Sequence, residues 1–373
     1  MQQMSSEWSF YHPVRVISIR LADYLASLTG KNILLVTTSG FTRRGLTGKI
    51  LSWTAQNRLK IYDQISPNPD LDNLDLAAES LRGQTFDCIL AIGGGSVIDA
   101  AKALSVSLPL SLKKPLSAIL RDRQHADLSK RIPVIAVPTT AGTGSEVTQY
   151  ATIWDLANGL KYSLAGEHIF PETAVLDSDL TLSLPSQETL YSGLDALSHA
   201  LESLWNINSN PFSEIYAFSA LNLACDNLPA VLAGPENCDA RAGMQRASLF
   251  AGYAISITKT AIAHAISYPL TARLSIPHGL ASGFTLATLI DMQRSSKSLP
   301  GHYFVLFDRI KALLLSFNLS CEMRRYATGA QIQDLLPEMF DPSRIKNYNC
   351  AADASLVAMI LENSGCGSFS NLA

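Results

Sequence analysis

The sequence predicts a two-part protein: a doubly wound, parallel-sheet α/β domain over residues 1–182 and an all-helical domain over residues 183–373. Three observations lead there. The first half alternates short apolar runs with helical patterns, as strands joined by crossover helices do. After SLPS (183–186) the periodicity turns mostly helical. The 373 residues, at roughly 150 per domain, make two to three domains, and such a chain buries a large core without disulfides.

NILLVTT (32–38) reads as a buried strand and Arg44 to about Arg58 as a helix. LKIYD (59–63) is strand-like, SPNPD (66–70) is a turn by its prolines and its Asn, and residues 71–82 look helical. DCILAI (87–92) is an apolar run closed by three glycines, with a helical pattern from Ser96 to about Ser107. Residues 108–133, with three prolines and a cluster of charge, are the most loop-like stretch. PVIAVPTT (133–140) is another strand, and YATIWD (150–155), KYSL (161–164) and TAVLD (173–177) add strands at the end of this half. The helical half breaks at Asn208–Pro211, Gly234–Pro235, Pro277–Gly279 and Pro300–Gly301. The cleft between the two domains is the expected ligand site.

Composition narrows the function. Hydrophobic residues make up 47% and charged residues 16%, against roughly 25% charged in an average globular protein. Mean hydropathy is +0.14, yet no unbroken apolar run approaches the roughly 18 residues of a membrane span. Such a chain is expected to bury surface between domains or subunits, which points to a homo-oligomer. The formal charge of −3 argues against a general nucleic-acid binder, and the apolar content excludes disorder. Six cysteines fall in no CxxC pair, and MQQMSSEWSFYHPVRV lacks a basic segment followed by an apolar one. Reduced thiols, no signal peptide and a cytoplasmic setting are therefore expected.

Gly93-Gly94-Gly95-Ser96 follows a strand and opens a helix, where free N–H groups and the helix dipole favour an anion. Asp99 and Lys102 lie on the first turns of that helix. A second loop, PTTAGTGSE (138–146), follows another strand. One glycine turn is as readily a plain turn, and the spacing is not GxGxxG. Two such turns in one α/β half favour a nucleotide site. In the helical half, Asp195 and His199 are four apart and share a helix face. His264 and His278 lie in two further segments of a chain with only seven histidines. Each alone could be a hydrogen-bonded core residue, but burying all four without a common partner is costly, and together they suit a divalent transition metal.

The chain resembles the iron-containing (group III) alcohol dehydrogenases over almost its whole length. The resemblance rests on GGGSVIDAAK (93–102), PTTAGTGSEVT (138–148), GLDALSHALE (193–202), HAISYPL (264–270) and PHG (277–279). It implies a Rossmann-like nucleotide domain and a helical metal-binding domain, with Asp195, His199, His264 and His278 as ligands to Fe²⁺, a set that Zn²⁺ also fits. It further implies NAD(H) or NADP(H) bound by Gly94, Gly95, Ser96, Asp99, Thr139 and Thr140, with Asn68 and Lys161 nearby, and a dimer or larger assembly. The implied reaction passes hydride between the nicotinamide and a small aldehyde or alcohol at the cation.

Two positions depart from common members. Many carry a second histidine four residues after the third ligand, where this chain has Tyr268: a proton relay, a pocket wall, or an aromatic core residue before Pro269. Many NAD-preferring members carry an Asp where this chain has Thr38, and Arg43 and Arg44 follow. That leaves room for NADP(H), unless the arginines are only a solvated helix start. WSFYHPVRV (8–16), LLVTTSGFTRRG (34–45), YATIWD, SHALESLWNINSNP (198–211) and TKTAIAHAISYPLTARLSIPHG (258–279) together look like the phosphonate-metabolism branch. Its members are similar to phosphonoacetaldehyde reductases, which form 2-hydroxyethylphosphonate. Lys259, Arg273 and Lys161 are the candidate anchors for such an anion. In one regular helix, however, Lys259 would point roughly 140° and Arg273 about 180° away from His264, so contact needs a helix break. Other short-chain or sugar-derived alcohols, a dehydroquinate-synthase-like lyase and a non-catalytic sensor are the competing readings.

Overall fold

The structure, a computed structural model, describes residues 10–296, 299–340 and 342–366. Trp8 and Ser9 of the first quoted motif lie outside them. In chain order the strands are β1 (Arg15–Ser18), β2 (Asn32–Val36), β3 (Arg58–Tyr62), β4 (Cys88–Gly93), β5 (Val134–Pro138), β6 (Tyr150–Asp155), β7 (Leu160–Ala165) and β8 (Thr173–Leu176). Six of them form one parallel sheet in the order β1-β8-β5-β4-β2-β3. The chain runs outward from β2 to β3 and returns to place β4 on the other side of β2, which creates the switch point beside the glycine turn.

The sheet is buried on both faces, and the side chains divide by parity. Leu34, Val36, Ile89, Ala91, Val134 and Ala136 join one core. Ile33, Leu35, Leu90, Ile92, Ile135 and Val137 join the other. The helices of this half are α1 (Leu21–Ala26), α2 (Ser39–Arg43), α3 (Leu46–Trp53), α4 (Leu71–Ser80), α5 (Gly95–Ser107) and α6 (Pro115–Leu120). Four details differ from the sequence reading. The helix expected over 44–58 is shorter, α3 at Leu46–Trp53, and a separate α2 precedes it, with Gly45 in the left-handed conformation, φ 80°, between them. The loop-like stretch 108–133 contains α6, whose first-turn amides are capped from α4: Asp75 accepts from Leu116 N at 2.8 Å and Ser117 N at 3.0 Å. β1 is a short, partly exposed edge strand that the sequence signal did not reveal. The expected strands near 150–155 and 161–164 exist, but as an antiparallel hairpin outside the parallel sheet.

The helical half comprises α7 (Ser186–Leu204), α8 (Pro211–Ala233), α9 (Cys238–Thr258), α10 (Ile262–Leu274), α11 (His278–Gly283), α12 (Leu286–Ser296) and α13 (Phe304–Ser316). The shorter α14 (Leu319–Arg324), α15 (Gly329–Asp334), α16 (Pro342–Ile345) and α17 (Ala354–Leu361) follow. Its largest core gathers Leu194, Leu197, Leu201, Trp205, Leu221, Leu228, Ile266, Leu280 and Phe307. By length and composition α8 is apolar enough to cross a membrane, which run-length reading overlooked because polar residues interrupt it. In the fold Ala217, Ala220, Leu221, Ala224, Leu228 and Val231 of α8 pack into this core.

The halves meet where the loop after β5 presses on α9. Gly144, at φ 60°, lies so close that an added Cβ would stand 2.4 Å from Gly252 Cα. Val147 packs there with Leu249, Phe170 and Leu176.

Candidate active site

A cleft of about 760 Å³ runs between the halves. Its floor is built on α7, where Asp195, His199 and Glu202 recur at intervals of four and three and so share one buried face. Nε2 of His199, His264 and His278 stand 3.7, 3.5 and 3.7 Å from the same atom, Asp195 Oδ1. Ligand atoms about 2.1 Å from a common ion stand roughly 3.4 Å apart in a tetrahedron. The spacing is thus long for direct pairing and right for a shared cation. His264 Nε2 is buried and hydrogen-bonds to nothing among the described residues. Buried atoms of that kind are normally satisfied, and a cation would satisfy this one. The donor set of one carboxylate and imidazoles suits Fe²⁺ or Zn²⁺. Asp195, His199 and His264 converge within 4.8 Å of one another. His278, on the first turn of α11 and 30% exposed, reaches Asp195 but stands outside that mutual set.

Electrostatics divide the four residues. Burial opposes charge on Asp195, but the three imidazoles overcome it and hold its carboxyl well below the usual range. Burial lowers His199, and it lowers His278 to about 3, while against burial the Glu202 carboxylate and the contact with Asp195 raise His264 to about 10.

His264 is placed by a feature the sequence did not betray: α9 and α10 are separate helices, bent by 106°. Lys259 closes α9 at φ 65°, a conformation uncommon for any residue but glycine. Side chains claim several of the backbone groups freed by the break. Asn208, Asn206 and Asn347 donate their side-chain amides to the carbonyls of Thr258, Lys259 and Thr260, at 3.2, 3.1 and 2.9 Å. On the amide side Glu202 Oε1 accepts from Ala263 N at 2.6 Å, and Oε2 accepts from Ala261 N at 3.0 Å. Glu202 Oε2 also stands 2.6 Å from His264 Nδ1. One carboxylate therefore caps α10 and fixes the imidazole with Nε2 toward Asp195, the usual partner arrangement of a metal-binding histidine. Glu202 lies in the quoted GLDALSHALE motif, and its i+3 spacing from His199 was the available signal.

The opposite wall carries the expected nucleotide residues. Gly94, the N-cap of α5, has no side chain to cap the helix; Val97 N bonds back to Gly94 O at 3.0 Å, and the amides of Gly95 and Ser96 are the ones placed for an anion. Asn68, Gly95, Ser96, Asp99 and Lys161 line the cleft. Asn68 N donates to Ser96 Oγ at 3.2 Å. Thr38, Gly94, Thr139 and Thr140 do not line it, but sit beside it at the carboxyl ends of β2, β4 and β5. Thr139 N donates to Gly93 O at 3.0 Å, and an added Cβ on Gly94 would stand 3.1 Å from Thr140 Cγ2. These donors and the uncapped helix suit a dinucleotide. The β6–β7 hairpin forms the side wall by strand alternation: Tyr150, Thr152, Trp154, Lys161, Ser163 and Ala165 face the cleft, while Ala151, Ile153 and Leu164 enter the core.

Behind this wall Lys102 is fully buried. Its Nζ donates to Ser145 Oγ, Thr148 O, Thr148 Oγ1 and Tyr150 O at 3.0, 2.9, 3.1 and 2.7 Å, and lies 4.0 Å from Asp99. Asp99 in turn accepts from Thr152 N at 2.8 Å and from Ser145 Oγ. Asp99 thus ties α5 to the hairpin, besides facing the cleft.

The candidate anion anchors separate. Lys161 and Lys259 line the cleft, whereas Arg273 is turned away in an exposed ion pair with Glu338 at 3.0 Å. Arg344 and Lys346, which the sequence reading did not single out, also line it. Tyr268 stacks on His278, with ring centroids 5.6 Å apart and planes at 9°.

Comparison with known proteins places this arrangement. Residues 17–178 match the iron-containing alcohol dehydrogenase model, and residues 189–361 match the model for the C-terminal part of the Fe-containing alcohol dehydrogenase family. A phosphonoacetaldehyde reductase of Streptomyces viridochromogenes is 40% identical over 59% of this chain. A probable alcohol dehydrogenase, EutG of Escherichia coli, is 38% identical over 61% of it. The matched stretch spans 56% of the length of each of these two relatives. A sulfoacetaldehyde reductase of Bilophila wadsworthia is 29% identical over 92% of this chain and 90% of its own. The solved sulfoacetaldehyde reductase of Bifidobacterium kashiwanohense, in complex with NAD⁺, superposes with a TM-score of 0.85 at 26% identity, covering 96% of this chain and 99% of its own. With both family models matched in order across most of its length, the chain belongs to the iron-containing alcohol dehydrogenase family.

Proposed function

We propose that this protein is a metal-dependent, NAD(P)(H)-linked aldehyde reductase that reduces phosphonoacetaldehyde to 2-hydroxyethylphosphonate. One observation carries the reading: three imidazole nitrogens surround a single oxygen of Asp195 on the floor of a cleft whose facing wall is the glycine turn. Asp195, His199, His264 and His278 would hold the cation. Gly94, Gly95, Ser96, Asp99, Thr139 and Thr140, with Asn68, Thr38 and Lys161, would hold the nucleotide. Bound there, a divalent metal supplies Lewis-acid polarisation of a carbonyl and a reduced nicotinamide supplies hydride. The chain itself orients and encloses. Glu202 keeps His264 Nδ1 engaged, the hairpin wall limits water, and Tyr268 borders the reacting end beside His278. The similarity to a phosphonoacetaldehyde reductase supports the substrate. A homo-oligomer in the cytoplasm belongs to the same reading, supported by the apolar composition and six free cysteines.

The test is an aldehyde panel on Fe²⁺- and Zn²⁺-loaded protein, followed at 340 nm with NADH and with NADPH. Metal-dependent oxidation of the cofactor with phosphonoacetaldehyde favoured over propionaldehyde is expected; no turnover of any aldehyde by metal-loaded protein refutes the reading. Both cofactors are expected to serve, since Thr38 offers no carboxylate to repel a 2′-phosphate and Arg43 and Arg44 are exposed beside it. A preference for NADH above about a hundredfold would exclude dual use.

A further inference from the structure

The β6–β7 hairpin is rooted in the sheet half and reaches across to the helical half. At its root Thr152 N donates to Asp99 Oδ2 at 2.8 Å, and Trp154 N donates to Pro69 O at 2.9 Å. Asp155 pairs with Arg121 at 3.0 Å, and Leu156 N donates to Asp70 Oδ1 at 3.2 Å. Beyond Leu156 the chain turns at Gly159, φ 62°, and returns as β7, with Lys161 opposite Trp154. This end lies against α10, the helix that carries His264 and Tyr268. Lys161 Nζ sits 3.0 Å from the centroid of the Tyr268 ring. Nearer the tip the Arg273 guanidinium covers Gly159: a Cβ there would overlap Nη1 and stand 3.1 Å from Cζ. Leu156, Ala157, Asn158 and Leu160 are exposed, whereas Gly159 is half-buried under that plane. The plane is itself held, since Arg273 Nε donates to Glu338 Oε2 at 3.0 Å, on the turn Leu336–Met339.

Resting on the aldehyde-reductase reading, we propose that Arg273 is a positioning residue for the nucleotide: it seats the hairpin tip on α10 and so holds the cleft wall that carries Trp154 and Lys161. An exposed pair such as Arg273–Glu338 adds little stability by itself. Its effect is to fix a flat guanidinium where only a glycine backbone fits. Tyr268 and Arg273 project roughly 140° apart around α10, so the hairpin end meets the helix on two sides. Support on one side would let the hairpin rock about its root; support on two sides stops it. A dinucleotide between the glycine turn and this wall then meets groups already in place, and less ordering is lost on binding. Arg273 lies outside the cleft lining, so its removal leaves the lining side chains present but the wall loose. The expected consequence is faster nucleotide release, not slower hydride transfer.

The test uses full-length, metal-loaded protein and the variants Arg273→Ala, Arg273→Lys and Glu338→Gln. Fluorescence titration with NADH and with NADPH should give a Kd raised about three- to tenfold in Arg273→Ala, mostly through faster dissociation in stopped flow. Arg273→Lys keeps the charge opposite Glu338 but loses the plane over Gly159, and should lie close to Arg273→Ala. Glu338→Gln should shift Kd the same way by less. Hydrogen exchange of residues 156–161 should quicken in Arg273→Ala while bound metal per chain stays the same. In steady state the KM for the nucleotide should rise without a fall in kcat. In a Lys161→Met background Arg273→Ala should raise Kd by less than about twofold, because both act through one wall. An unchanged Kd in Arg273→Ala overturns the proposal. So does a full additive effect on top of Lys161→Met, or a loss of metal, which would make Arg273 a support of α10 alone. A wild type that binds nucleotide in an Arg273-dependent way but reduces no aldehyde keeps the positioning role and removes the hydride chemistry.

Discussion

Two buried charge clusters face each other across the cleft, and they are completed differently. On the sheet side Lys102 is wholly enclosed, yet its ammonium meets four acceptors from the loop and hairpin, with Asp99 alongside. On the helical side Asp195 and three imidazoles converge, but their facing atoms stand too far apart to satisfy one another. In the first cluster the Lys102 ammonium is satisfied by the protein and fixes shape. The second is left open by one ion's width and needs something from outside. Both incur the desolvation cost of burial. At the second, His264 Nε2 lies buried between the candidate donors with no partner among the described residues, whereas the Lys102 ammonium is engaged by four acceptors, and that difference separates a structural network from a reactive one.

Four experiments test this contrast. The largest effect is expected at the open cluster: His199→Ala should reduce bound metal well below one per chain and cut aldehyde turnover by about a thousandfold or more. Metal analysis beside steady-state rates checks this; full metal occupancy in the variant would place the cation elsewhere. At the closed cluster Lys102→Met should cost about 3–5 kcal/mol of stability, because it strips the partner from Asp99 and from several buried acceptors. Urea unfolding reads this directly, and a loss below about 1 kcal/mol would mean the network is relaxed by water.

The third experiment joins the clusters' logic, since Glu202 is a closed contact serving an open site. Glu202→Gln should weaken metal affinity about 10- to 100-fold. Competition with a chelator measures it, and unchanged affinity would reduce Glu202 to a helix cap. The smallest effect concerns Glu146, on the loop beside Lys102, where burial raises the carboxyl from 4.5 to about 7 with Lys102 opposing. Tyr253 is the other titratable group whose charge is coupled to it. A folded-state value above the unfolded one means the fold prefers the protonated acid, so stability is lost as pH rises through about 7. Glu146→Gln removes that loss. Its unfolding free energy relative to wild type should rise between pH 5 and pH 8, by an amount on the order of 1–3 kcal/mol. A difference independent of pH would refute the buried-acid account.

Parts of the molecule were legible from local pattern. The apolar runs of β2, β4 and β5 are continuous because both sheet faces are covered, and each glycine or proline that follows marks a strand end. The breaks before α8, α9 and α11 coincide with Pro or Gly, so they were visible. The break between α9 and α10 was not, because TKTA contains neither; it is held open by Glu202 and by three asparagines from other segments. α6 escaped notice for another reason: Pro115, at its first position, reads as a loop breaker, and its cap comes from Asp75 on another helix.

The amino-acid sequence alone determined the fold class, the family and which four residues could be metal donors, because periodicity and short motifs are local properties. Tertiary structure decided what those residues face. It turned Arg273 out to Glu338, brought Arg344 in beside Tyr268 and gave His264 its carboxylate partner. Direction and distance between segments tens or hundreds of residues apart are set by packing, and no local pattern encodes them.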